Sequence, residues 1–63
     1  MNPIVKILME RDGLTEQEAN HSMRIAHGLL LQGEDPEEVL DAEFGLEPDY
    51  VFDLIEGMHE VAR

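Results

Sequence analysis

The sequence predicts an all-α protein, a compact bundle of about four short helices, and three observations carry that expectation. Four segments each open on a helix-start signal, a capping residue in the first three and Pro48 in the last. Gly13, Gly33 and Gly45 sit where the first three of those segments stop. Between caps and glycines the apolar residues recur at intervals of three and four, the period of a helix face rather than of a strand.

The first helix opens at Asn2, with Pro3 at the first helical position, where a missing N–H is no loss. It runs through Ile4, Val5, Ile7, Leu8 and Met9 and ends at Asp12-Gly13. Thr15 with Glu18 three residues on forms a capping box, in which each side chain bonds the other residue's backbone N–H. The second helix follows, with Ala19, Ser22, Met23, Ala26, Leu29 and Leu30 on one side and Gly33 just past its end. Asp35-Pro36-Glu37-Glu38 repeats the opening of the first helix and places acids in the first turn, where the helix dipole favours them. This third helix is short and closes at Gly45. Pro48 opens the last, through Val51, Leu54, Ile55, Met58, Val61 and Ala62, with Gly57 inside it at a cost of about 1 kcal/mol relative to Ala.

Sixty-three residues suffice for one helical domain, 1–63. A chain of this size buries roughly 60% of its unfolded surface, so its stability is marginal. Without Cys, neither a disulfide nor a thiolate metal site can staple it, which leaves helix packing, self-association or a partner. No apolar run approaches the ~20 residues of a membrane span, and the N-terminus lacks the basic region and cleavage site of a signal peptide. The expected location is the cytoplasm.

The formal net charge is −11, and its distribution says more than its size. Residues 1–33 hold four acids and three bases, Lys6, Arg11 and Arg24. Residues 34–62 hold eleven acids and no base, before Arg63. Such a field repels nucleic acid and anionic membrane and attracts basic surfaces. It argues against direct DNA or RNA binding, where phosphate neutralisation supplies most of the affinity. Leu40, Phe44, Gly45, Leu46, Val51 and Leu54 are spaced like the apolar and turn positions of a helix-turn-helix. Asp41 stands where such a motif carries a small residue, and Asp49, Tyr50, Asp53 and Glu56 would face phosphates. The spacing therefore predicts a helical hairpin without the DNA-binding role.

On a wheel of about 100° per residue with Val51 at zero, the apolar positions of the last helix fall within roughly 80° of one side. Asp49, Asp53, Glu56 and Glu60 fall between about 140° and 200°, a stripe opposite the core. Glu37 and Asp41 form a similar pair on the third helix. One reading is a solvated face that keeps the protein dissolved. The sharper one is a docking surface for a basic protein, formed by Glu37, Asp41, Asp49, Tyr50, Asp53, Glu56 and Glu60. The absence of any compensating Lys or Arg across 29 residues favours the second.

The order of Glu18-x-x-His21, Glu56-x-x-His59, Glu10 and Glu43 resembles that of the di-iron carboxylate bundles. Those ligands must point inward, whereas His21 and Glu56 lie far from the apolar faces of their helices. No nucleophile triad, phosphate loop or calcium loop is present. The sequence thus predicts no catalytic residue, no metal, no cofactor and no enzyme. His27 falls at the edge of the second helix as a boundary residue, and Met9, Met23 and Met58 read as core filler. Leu29-Leu30-Leu31 cannot all face one core, so Leu31, with Phe52 and Val5, is a candidate self-association or partner patch.

The stretch from Met9 through Gly13-Leu14-Thr15 to Ala19, and that from Asp35-Pro36 through Phe44-Gly45 to Tyr50, resemble small uncharacterised proteins of bacterial phages and prophages. The resemblance implies a helical accessory protein of the bacterial host cytoplasm and supplies no catalytic residue. It makes inhibition of a host defence enzyme that binds nucleic acid, of the anti-CRISPR or anti-restriction type, a reasonable class of function. The expectation is an acidic protein-binding module. The alternative is a structural or regulatory protein that works as a homodimer through apolar surface, with the acids only solubilising.

Overall fold

Asn2 has extended backbone, and its Oδ1 accepts from the Ile4 N–H at 2.8 Å, opening α1 (Pro3–Asp12). Thr15 and Glu18 make both bonds of the capping box, at 3.1 and 2.9 Å, before α2 (Glu16–Leu31). Asp35 Oδ1 accepts from the Glu37 N–H at 2.8 Å at the head of α3 (Pro36–Val39). After a 3-10 turn at Pro48–Tyr50, α4 runs Val51–Glu56. The computed structural model describes residues 1–56 and Met58, and every regular element among them is helical. Gly57, His59, Glu60, Val61 and Ala62, assigned above to the last helix, lie outside the described residues.

The helix ends follow from backbone chemistry. Past α2, the Gly33 N–H meets the Leu30 carbonyl, and Gly33 takes φ 98°, so that the Glu34 N–H turns back to that of Leu29, both close to 3 Å. This pair of bonds satisfies carbonyls that a helix end leaves without partners. The third helix closes differently. From Leu40 to Phe44 it widens into a π-helical turn, and Gly45 at φ 65° ends it. The extra residue per turn brings Val39, Leu40 and Phe44 all into the core while Asp41, Ala42 and Glu43 stay in solvent. Periodicity counted at 3.6 residues gives no sign of it.

The core is Ile4, Val5, Leu8, Ala19, Met23, Ala26, Val39, Leu40, Phe44 and Leu54, with Met9, Leu14, Leu29, Leu30, Leu46, Tyr50 and Val51 packed around it. The four helices thus share one interior. The radius of gyration is 10.7 Å, close to the ~11 Å expected of a folded chain of this length. No described helix is long and apolar enough to cross a membrane.

Three positions depart from the sequence reading. Val5, a candidate for the apolar surface patch, is buried, because α1 packs against both α2 and α4 and so buries a wide arc of its circumference. Ile55, placed on the core face of the last helix, is 37% exposed. His27, placed at a boundary, is only 6% exposed. The last two share a cause: α4 turns Leu54, not Val51, squarely into the core, towards α2.

Two side chains hold α4 there by consecutive carbonyls. Asn2 Nδ2 donates to the Asp53 carbonyl at 2.7 Å, and His27 Nε2 lies 2.9 Å from the Leu54 carbonyl. Asn2 therefore caps α1 with one atom and fastens α4 with the other. Asn2→Asp keeps the capping oxygen but sets a carboxylate against the Asp53 carbonyl, where nothing donates. Thermal or urea unfolding should show a loss of about 1–3 kcal/mol. A cap replacement with no measurable cost would show that the Asp53 contact contributes nothing.

Candidate functional site

The acids of the second half are gathered by α3 more than by α4. Glu37, Glu38, Asp41 and Glu47 rim an open depression of about 410 Å³ that also takes in Gly45, Leu46 and Pro48. The capping of Asp35 and the first-turn position of Glu37 and Glu38 point these side chains away from the buried Val39 and Leu40. The π turn then carries Asp41 to the same side, and the Gly45 turn returns Glu47 beside it. A second open depression, about 520 Å³, lies on the other flank, where Glu34, Glu38, Asp41 and Glu43 surround Leu29, Val39 and Ala42. Glu38 and Asp41 belong to both, and among the described residues no Lys, Arg or His lines either. Carboxylates this close share one field, and that field favours a cation or a basic side chain over any anion.

One cation of the first half reaches the rim. An Arg11 Nη lies 4.0 Å from where a side chain on Gly45 would begin. Its guanidinium is already engaged with Asp12, by parallel bonds of 2.9 and 3.0 Å. The hydrogen bond with Asp12, and then its charge, raises the Arg11 pKa, while the bond from Arg11 lowers that of Asp12. Both side chains are exposed, so the pair adds little to stability.

Of the residues expected to form the docking surface, Glu37 and Asp41 fall together on this acidic face. Asp49 and Glu56 are exposed on α4 and the turn before it. Asp53 is half-buried at the edge of α4, and Tyr50 packs against the core instead of standing beside the acids. Glu60 lies outside the described residues. Among the described residues the wheel needs one adjustment, at Asp49. Pro48–Tyr50 is a 3-10 turn of about 120° per residue, so a wheel of about 100° cannot run through it. Glu34, Glu38, Glu43 and Glu47 were missed. Their signal was the same base-free run, but only the π turn and the Gly45 turn show that they converge.

Among the described residues the di-iron pattern does not close. Glu10, Glu18, His21, Glu43 and Glu56 are all exposed, and His59 lies outside the described residues. No group of three metal-ligating side chains assembles among the described residues. The hairpin expected around Gly45 is present, with Leu40, Phe44 and Leu54 buried and Leu46 and Val51 packed beside them. Comparison with protein families, with curated proteins and with solved structures finds no match for this chain.

Proposed function

We propose that the protein is an acidic docking module that occupies a basic surface of another protein. One observation carries the reading: α3 and its flanking turns converge six carboxylates, of Glu34, Glu37, Glu38, Asp41, Glu43 and Glu47, on two adjoining depressions whose lining contains no base among the described residues. A surface shaped only by solubility would mix signs and gain pairing energy from it. The partner such a face suits best is a protein that contacts phosphates through Lys and Arg, since a carboxylate cluster competes for those same groups. In the phage setting implied by the resemblance, that partner is a nucleic-acid-binding defence enzyme of the host, and docking inhibits it.

The test follows from the geometry. Glu38→Lys/Asp41→Lys reverses the two acids shared by both depressions, and both side chains are exposed, so the fold should persist. A protein retained from host lysate at low salt and released by a salt step would be purified and titrated against both forms. The variant should bind roughly tenfold or more weakly, with a shallower salt dependence. Equal affinity for the two forms would end the proposal.

The second reading, self-association through apolar surface, draws on Leu31 at 71% and Phe52 at 83% exposure. It loses Val5, the third residue of that patch, to the core.

A further inference from the structure

The outward side of α4 is not merely acidic. Leu54 is fully buried and so fixes the direction of the core. At about 100° per residue, Phe52 and Glu56 lie about 160° from Leu54, one on each side of the outward direction, and Ile55 lies about 100° from it. Exposures agree: Phe52 is 83% exposed, the most of any large apolar side chain described, and Ile55 is 37% exposed one turn further on. Asp49 precedes Phe52 by three residues through the 3-10 turn, where such positions nearly eclipse, and it too is exposed. Glu56 follows Phe52 by four. One outward strip therefore reads Asp49, Phe52, Ile55, Glu56: an apolar pair with a carboxylate at each end.

We infer that this strip is a docking face for a cationic amphipathic segment of a partner protein. One apolar side chain of that segment covers Phe52 and Ile55, and Lys or Arg residues about a turn to either side meet Asp49 and Glu56. The occupant follows from charge complementarity. A second copy of this chain, related by a two-fold axis through Phe52, would set carboxylate against carboxylate, Asp49 against Glu56 in antiparallel pairing or each against its own counterpart in parallel pairing, and like charges across an interface are repelled. Nucleic acid and anionic lipid are repelled by a segment with no base from residue 34 to 62. A purely basic segment would leave the phenyl ring in water, where its burial gains nothing. The inference rests on the docking reading for the sign of the partner. It adds an aromatic anchor which that reading does not need.

The probe is a pair of Lys/Leu peptides of about 14 residues, one with its leucines on a single helical face and one with the same composition scrambled. Binding is followed by amide chemical shifts in about 0.15 M salt. The patterned peptide should bind roughly tenfold tighter than the scrambled one and shift the amides of residues 49–56. Phe52→Ser, a change at an exposed site, should erase that advantage, while Glu38→Lys/Asp41→Lys should preserve it. Equal binding of the two peptides, or a preference unaltered by Phe52→Ser, overturns the inference and leaves the acidic docking reading standing without its apolar anchor. Absence of binding by either peptide also overturns it, while the docking reading answers separately to the titration of its natural partner. A dimer seen in sedimentation and abolished by Phe52→Ser would assign the strip to a second copy. Phe52-dependent binding to phosphatidylcholine vesicles would assign it to a membrane. Either result overturns the inference.

Discussion

Leu40→Ala is expected to remove most of the protein's stability. Leu40 is fully buried, starts the π turn and sits in the one core that all four helices share. Truncating a buried leucine costs about 2–5 kcal/mol, through lost transfer energy and the cavity left behind. At roughly 0.05–0.15 kcal/mol per residue, a chain of this length has only about 3–9 kcal/mol in total. For a domain this small, each kcal/mol shifts the melting temperature by about 4–8 °C, so a loss near 3 kcal/mol lowers it by roughly 12–24 °C. Leu31→Ala is the matched control: the same chemical change at a site 71% exposed should stay within about 0.5 kcal/mol. Urea unfolding followed by helical circular dichroism measures both. Similar losses in the two variants would mean that Leu40 does not anchor the core as its burial implies.

The contrast between those two leucines also shows which parts of the fold can be read from sequence. Caps are legible because their chemistry is local. Asn2, Thr15 with Glu18, and Asp35 each bond a backbone N–H two or three residues away, and the structure makes every one of those bonds. The helix ends at Gly33 and Gly45 are legible for the same reason, since a left-handed backbone position favours glycine. What could not be read depends on neighbours distant in the chain. The burial of His27 requires the Leu54 carbonyl, 27 residues on, and the burial of Val5 requires both α2 and α4. The direction of α4 moves Ile55 out and turns Leu54 fully in, and no wheel drawn on one helix contains that information. The candidate site divides along the same line. A base-free acidic half is visible in the sequence as a sum of charges. The convergence of Glu34, Glu38, Glu43 and Glu47 with Glu37 and Asp41 arises from a π turn and a glycine turn that rearrange the helix wheel.

His27 gives the second large effect, and its direction separates two physical causes. A carbonyl oxygen can only accept, so the 2.9 Å contact with the Leu54 carbonyl requires the proton on Nε2. The buried Nδ1 then has no partner among the described residues, which makes the ring an imperfect tenant of its site. His27→Ala removes the donor, leaves the Leu54 carbonyl short of a partner and opens a cavity; together these should cost about 2–4 kcal/mol. His27→Gln retains an N–H donor at nearly the position of Nε2, and its amide oxygen replaces Nδ1 as the side chain's acceptor in need of a partner. It should lose well under half as much. His27→Leu fills the space and removes the unpartnered atom but cannot donate. If the bond to Leu54 holds α4, stability falls in the order His, Gln, Leu, Ala. If packing alone matters, Leu equals or exceeds the wild type and Gln falls below it. The first order is expected, because Leu54 is the one fully buried side chain of the described part of α4, Val51–Glu56, and gives it little core contact of its own. Its place depends on what grips it from α1 and α2. Amide exchange should therefore accelerate first across residues 51–56 in His27→Leu, ahead of α1 and α2, while His27→Gln keeps those amides protected. Uniform acceleration along the chain in His27→Leu would show instead that His27 supports the whole core and has no particular hold on α4.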